Sequence, residues 1–150
     1  MKKSSIHCLN DARNLAKKKL PAMIFDYVDG TALEGDGKKS NYNSFQKIKL
    51  FQNVLSGVSK KSIKTKLFNY DFDIPFGIAP MGMCNLVNSK ADISIAKLAR
   101  KFNTPVSFST MASTSLEKTF SITGELGWFQ LYVYDDLKSG LDLASRAQSA

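Results

Sequence analysis

The stretch Trp128–Tyr134, WFQLYVY, is aromatic and apolar except for one amide, Gln130, with a phenol, Tyr132, two residues further on. In an extended strand that spacing puts both on one face and leaves Leu131 and Val133 on the other. An amide gives and takes hydrogen bonds at once, as the edge of a heteroaromatic ring requires. A phenol can hold a carboxylate or a developing alkoxide. Neighbouring strands can also satisfy two such polar groups, and this strand alone leaves both readings open. Two other stretches end in an equally unusual way. APMGM (Ala79 to Met83) breaks an apolar run at Pro80, Met81 and Gly82, and glycine lets a flat group approach the backbone. FSTMAS (Phe108 to Ser113) is a run of small hydroxyls around Met111. It lacks the Gly-Lys-Ser/Thr of a phosphate loop, and helix capping by Thr114 accounts for part of it.

Other reactive residue types carry less. Cys8 and Cys84 form neither a disulfide framework nor a metal spacing, and Cys84 has no basic neighbour to activate it, so it reads as an inert thiol. Asp26 and Asp29 are loosely paired without metal-ligand spacing, and no metal is expected. The single histidine, His7, reads as a solvated residue near the N-terminus.

The elements that position the three stretches follow from pattern. Asn10 or Asp11 can cap a helix through Lys19, and Pro21 suits the first turn of a second helix that Gly30 ends. TALEGDGKKSN reads as a loop, with Ser40 capping a short helix to Ile48. TKLFNYDFDIPFGIAP reads as a strand, a turn at Asn69–Tyr70 and a strand to Pro80. Ile95, Leu98, Ala99 and Phe102 mark a helix from about Ala91, with Ser89 and Asp92 as a capping box. PVSFS (Pro105 to Ser109) is a strand, Thr114 with Glu117 opens another helix, WFQLYVY is a strand, and Leu137, Leu141 and Ala144 mark a last helix. Near-continuous apolar strands alternating with helices imply an α/β fold with a parallel sheet, either doubly wound or a (β/α)8 barrel. In a barrel, ligands bind at the carboxyl ends of the strands, where the three unusual stretches lie.

The chain has 150 residues, 43% of them hydrophobic, which suffices for one domain with a core. No apolar run is long enough to cross a membrane, and the residues after MKKSS lack the apolar stretch of a secretory signal. The cysteine usage fits a reduced cytoplasmic setting. A net charge of +8 permits an anionic partner: nucleic acid, a membrane face or a phosphorylated cofactor. No aromatic residues alternate with the lysine pairs to stack bases, so nucleic acid is not expected, and the pairs read as solvated faces.

KLPAMIFDYVDGTA, NYNSFQKIKL, IPFGIAPMGM, FSTMASTSLE and WFQLYVY, in this order, resemble the FMN-dependent 2-hydroxy-acid oxidising family, which includes glycolate oxidase, L-lactate dehydrogenase and the flavin domain of flavocytochrome b2. The resemblance runs from about Asp11 to the chain end. It implies FMN as cofactor and oxidation of an L-2-hydroxy acid, most often L-lactate, to the 2-oxo acid. It implies that Tyr27 binds the substrate carboxylate, and that the turn Ala79, Pro80, Met81, Gly82 lies against the isoalloxazine ring. Ser109 hydrogen-bonds the flavin, Gln130 reads its pyrimidine edge, and Tyr132 reaches substrate and transition state. Met111 stands where glycolate oxidases carry tryptophan, which leaves substrate size open. The family's histidine base, its substrate-binding arginine, its lysine near the flavin and its phosphate loops belong to later parts of the barrel. The chain therefore reads as the N-terminal part of one such domain: N-terminal helices and about the first three βα units of a partial (β/α)8 barrel, inactive alone. The resemblance leaves the electron acceptor open among oxygen, quinone and cytochrome. It implies a homo-oligomer for the full-length enzyme and allows a cytoplasmic protein peripheral to the inner face of the plasma membrane. Rival readings are another FMN barrel, such as type 2 isopentenyl diphosphate isomerase, against which FDY and QLYVY argue, and a basic non-catalytic binding module.

Overall fold

The computed structural model describes residues 6–133 and 136–150, which divide into two units at the boundary between residues 59 and 60. The first unit holds α1 (Leu9–Lys19), α2 (Ala22–Asp29) and α3 (Asp36–Lys47). The cap of α1 is Cys8 rather than Asn10 or Asp11. Asp11 sits one turn in, and its carboxylate accepts the His7 and Cys8 backbone N–H groups at 3.0 and 3.2 Å, satisfying donors the helix leaves free. These bonds, that from His7 foremost, hold its pKa below the usual aspartate value. Arg13 forks onto Asp29 at 2.6 and 2.7 Å and lies 5.6 Å from the ring centre of Phe25, the buried residue of α2. Asp29 is thus a clamp between α1 and α2. Helix α3 begins inside the stretch expected as a loop: Gly35, at φ 76°, turns the chain straight into it, so Ser40 is interior and not the cap.

The second unit opens with a hairpin of β1 (Thr65–Leu67) and β2 (Tyr70–Phe72). Its turn is Phe68–Asn69, both at positive φ, one residue earlier than the sequence suggests. The second strand stops at Phe72 instead of reaching Pro80. The chain bends through Pro75, which has no N–H to donate, and at Ile78 it reaches a second, parallel sheet. There a parallel bridge to Val106 forms, with Ile78 N–H on Pro105 O and Ser107 N–H on Ile78 O, both at 2.9 Å. Gly77 allows this approach, since a Cβ there would lie 2.8 Å from the Pro105 carbonyl oxygen.

Strands β3 (Val106–Ser109) and β4 (Gly127–Gln130) pair in parallel, from Val106↔Gly127 to Ser109↔Gln130. The connections are α4 (Ala91–Phe102) and α5 (Leu116–Thr123), and α6 (Leu137–Ser149) follows β4. This is the expected α/β alternation. WFQLYVY is extended in the ladder only as far as Gln130; Tyr134 lies outside the described residues.

Alternation along the strands decides the two faces. Val106 and Phe108 pack with Ala96 and Ala99 of α4 and Leu116 and Phe120 of α5, and Ile78 and Phe129 join them. The Phe108 and Phe120 rings tilt at 55° with centres 6.2 Å apart. Burial of each such ring contributes about 1.5–3 kcal/mol. Asn103 ends α4 in the left-handed region, and its side-chain amide donates to Asp71 O at 3.0 Å, tying the hairpin to the helix. The capping boxes expected at α4 and α5 do not form. Lys90 and Ser115 are the caps, Asp92 bonds elsewhere, and Glu117 pairs with Arg146 of α6 at 2.7 Å.

Candidate active site

With Val106, Phe108 and Phe129 turned to the helices, Ser107, Ser109, Trp128 and Gln130 take the opposite, open face. Gly77, Ala79, Ser107 and Trp128 line a shallow concavity there. Phe68 of the hairpin meets Trp128, near the amino end of β4, with ring centres 5.8 Å apart. The carboxyl ends of the strands are the three stretches singled out by sequence.

Backbone and hydroxyl bonds join them. Met83 N–H donates to Met111 O at 2.9 Å, and Asn85 N–H to Ser113 Oγ at 3.3 Å, linking the first stretch to the second. Thr110 links the second to the third: its N–H and its hydroxyl both donate to Gln130 O, at 3.0 and 2.8 Å, and its Oγ1 accepts Tyr132 N–H at 3.0 Å. Below them Asp92, 2% exposed, accepts Thr114 N–H at 2.8 Å, so a buried carboxylate on α4 fixes the approach to α5.

Each residue marked in the sequence can now be placed. Ala79, Pro80, Met81 and Gly82 form an exposed turn leaving Ile78. The close approach that Gly82 permits is by the protein's own chain: a Cβ there would lie 3.0 Å from Met111 Cβ. Ser109 is buried, and its Oγ accepts Met111 N–H at 3.1 Å, a bond that leaves the hydroxyl proton able to donate. Met111 and Tyr132 are about half exposed at the rim. Gln130 is half-buried, and among the described residues no group hydrogen-bonds its side-chain amide. Tyr27 lies exposed on α2 in the first unit. Cys84 is partly buried; desolvation, with the Asp92 carboxylate second, raises its pKa, which suits an inert thiol. His7 is exposed. Thr110 and Asp92 carry no local signal of a role at the site. Thr110 lies within the run of small hydroxyls, and the capping signal at Asp92 hides its longer-range bond.

A model of the FMN-dependent dehydrogenase family matches residues 16–150. The chain belongs to that family. It is 36% identical over 135 residues to a 2-hydroxyacid oxidase of Dictyostelium discoideum, covering 89% of this chain and 35% of the relative. It is 32% identical over 145 residues to an L-lactate dehydrogenase of Pseudomonas syringae pv. syringae, covering 95% of this chain and 38% of that protein. The chain thus spans little more than a third of these curated relatives. Among solved structures it is similar to a soluble mutant of the membrane-associated (S)-mandelate dehydrogenase from Pseudomonas putida, with TM-score 0.89 and 29% identity over 97% of this chain and 41% of the other. A mandelate oxidase gives TM-score 0.88 at 26% identity, covering 97% and 42%.

FMN is the cofactor of the FMN-dependent dehydrogenases. The open face suits its ring system. The small side chains of Ala79 and Ser107 leave room beside the sheet, and the amide of Gln130 stands at the strand end with donor and acceptor both uncommitted to described residues.

Proposed function

We propose that these 150 residues form the N-terminal part of a single FMN-dependent (β/α)8 domain that oxidises an L-2-hydroxy acid, first of all L-lactate, to the 2-oxo acid. The observation that carries this reading is the shared open face. Ala79, Ser109 and Gln130 belong to three neighbouring parallel segments, with Tyr132 at the end of the last. The backbone of Ala79 to Gly82 would lie along the flavin ring, the Ser109 hydroxyl would donate to it, and the Gln130 amide would pair with its polar edge. The chemistry that FMN would supply when bound is acceptance of a hydride from the substrate Cα. Tyr132 would hold the substrate oxygen as charge develops on it, and Met111 would line the space for the substrate side chain. The base would come from the part of the domain that follows these residues. L-lactate is supported by the similarity to L-lactate dehydrogenases, and a peripheral membrane location by the membrane-associated mandelate dehydrogenase among the similar structures. The acceptor class is oxygen, quinone or cytochrome, and a homo-oligomer is the proposed assembly.

The test is Tyr132→Phe in an FMN-loaded enzyme of family length carrying these residues. FMN should stay bound while turnover of L-lactate falls, by about ten- to a thousandfold for one transition-state hydrogen bond. Turnover equal to the parent enzyme would remove Tyr132 from the mechanism. A parent enzyme whose flavin is not reduced anaerobically by L-lactate, glycolate or mandelate would overturn the activity itself.

A further inference from the structure

The parallel ladder ends in an unusual way at Thr110. With Thr110 N–H on Gln130 O, the next bond of a regular parallel pair would run from Tyr132 N–H to the Thr110 backbone carbonyl. The Tyr132 N–H instead donates to the Thr110 side chain, Oγ1, at 3.0 Å, and that same hydroxyl gives its own proton to Gln130 O at 2.8 Å. One side chain therefore holds the backbone on both sides of Leu131. A threonine suits the task, because its β-branch leaves few χ1 rotamers and the hydroxyl needs little ordering.

We propose that Thr110 is a positioning residue: it ends the β3–β4 ladder and fixes the directions in which the Gln130 amide and Tyr132 phenol leave the strand. The inference rests on the roles proposed above for Gln130 and Tyr132. Thr110 acts through the backbone of residues 130–132 rather than by touching cofactor or substrate.

Thr110→Val keeps the shape and removes the hydroxyl, and Thr110→Ser keeps the hydroxyl. The first readout is hydrogen exchange resolved to single amides in the 150-residue chain. In the valine variant, Tyr132 N–H should exchange about three- to tenfold faster, the range for one lost hydrogen bond, while Ser107 N–H, held by Ile78 O, stays protected. The serine variant should match the parent at both amides. Unchanged Tyr132 exchange in the valine variant overturns the proposal. If the valine variant loses protection at Ser107 too, the serine variant decides: Tyr132 unprotected with Ser107 protected overturns the proposal, and both protected supports it.

The second readout is kinetic, in the FMN-loaded enzyme of family length. Thr110→Val should raise KM for the hydroxy acid and lower kcat, by about tenfold in kcat/KM, and Thr110→Ser should recover both. A defect of folding alone would lower the active fraction and leave KM unchanged, which counts against positioning. If Tyr132→Phe slows turnover and Thr110→Val does not, Thr110 has no such role and the function reading stands. If neither variant matters, the function reading is what fails.

Discussion

Removing the buried carboxylate of Asp92 should loosen the whole rim of the open face. Asp92 is 2% exposed, and its carboxylate accepts the Thr114 backbone N–H at 2.8 Å across 22 residues of sequence. Asp92→Ala leaves that amide without its acceptor at the start of α5, next to the segment that carries Met111. A hydrogen bond to a charged group contributes about 1.5–3 kcal/mol, and the truncation opens a small void besides, so a loss of about 2–4 kcal/mol is expected. Asp92→Asn keeps an acceptor oxygen and should cost about half as much. Urea unfolding of the chain, followed by the fluorescence of its single tryptophan, Trp128, measures both. Trp128 lies in β4 and reports the second unit. Thr114 N–H should also lose exchange protection in the alanine variant. An alanine variant within about 0.5 kcal/mol of the parent, the range of an ordinary surface substitution, would refute the view that this bond organises the rim.

Met111→Trp should fill space at the rim, where Met111 is about half exposed, and shift preference from longer 2-hydroxy acids toward glycolate. Ratios of kcat/KM across a series of 2-hydroxy acids measure this, and an unchanged ratio rejects the role. The 150-residue chain assayed by itself should neither oxidise L-lactate nor remain monomeric. Among the described residues β4 pairs on one side alone, and an apolar edge invites association. Sedimentation of a monomer with bound flavin and lactate turnover would contradict both statements.

The sequence determined the alternation of strand and helix from Ile78 onward, because period-two and period-3.6 patterns are local properties of the chain. It also located the three rim stretches, since an amide, a phenol, a run of hydroxyls and a Pro-Met-Gly turn are out of place in plain apolar strands. What it could not supply was the destination of hydrogen bonds between residues far apart in the chain. Ser89 and Asp92 have the spacing of a capping box, yet the Asp92 carboxylate finds Thr114 N–H, because the fold brings α5 to the start of α4. Thr114 and Glu117 show the same signal, yet Glu117 pairs with Arg146 once α6 lies alongside. Gly82 carries freedom that can serve a ligand or the protein's own chain, and the nearness of Met111 Cβ is visible only in three dimensions. The strand that ought to run from Tyr70 to Pro80 is broken, because Pro75 cannot donate and the register with Val106 begins afresh at Ile78. Strand alternation puts Tyr132 on the face of Gln130, but the ladder ends at Gln130. The direction of Tyr132 is set by the Thr110 hydroxyl, a bond across 22 residues that no local pattern encodes.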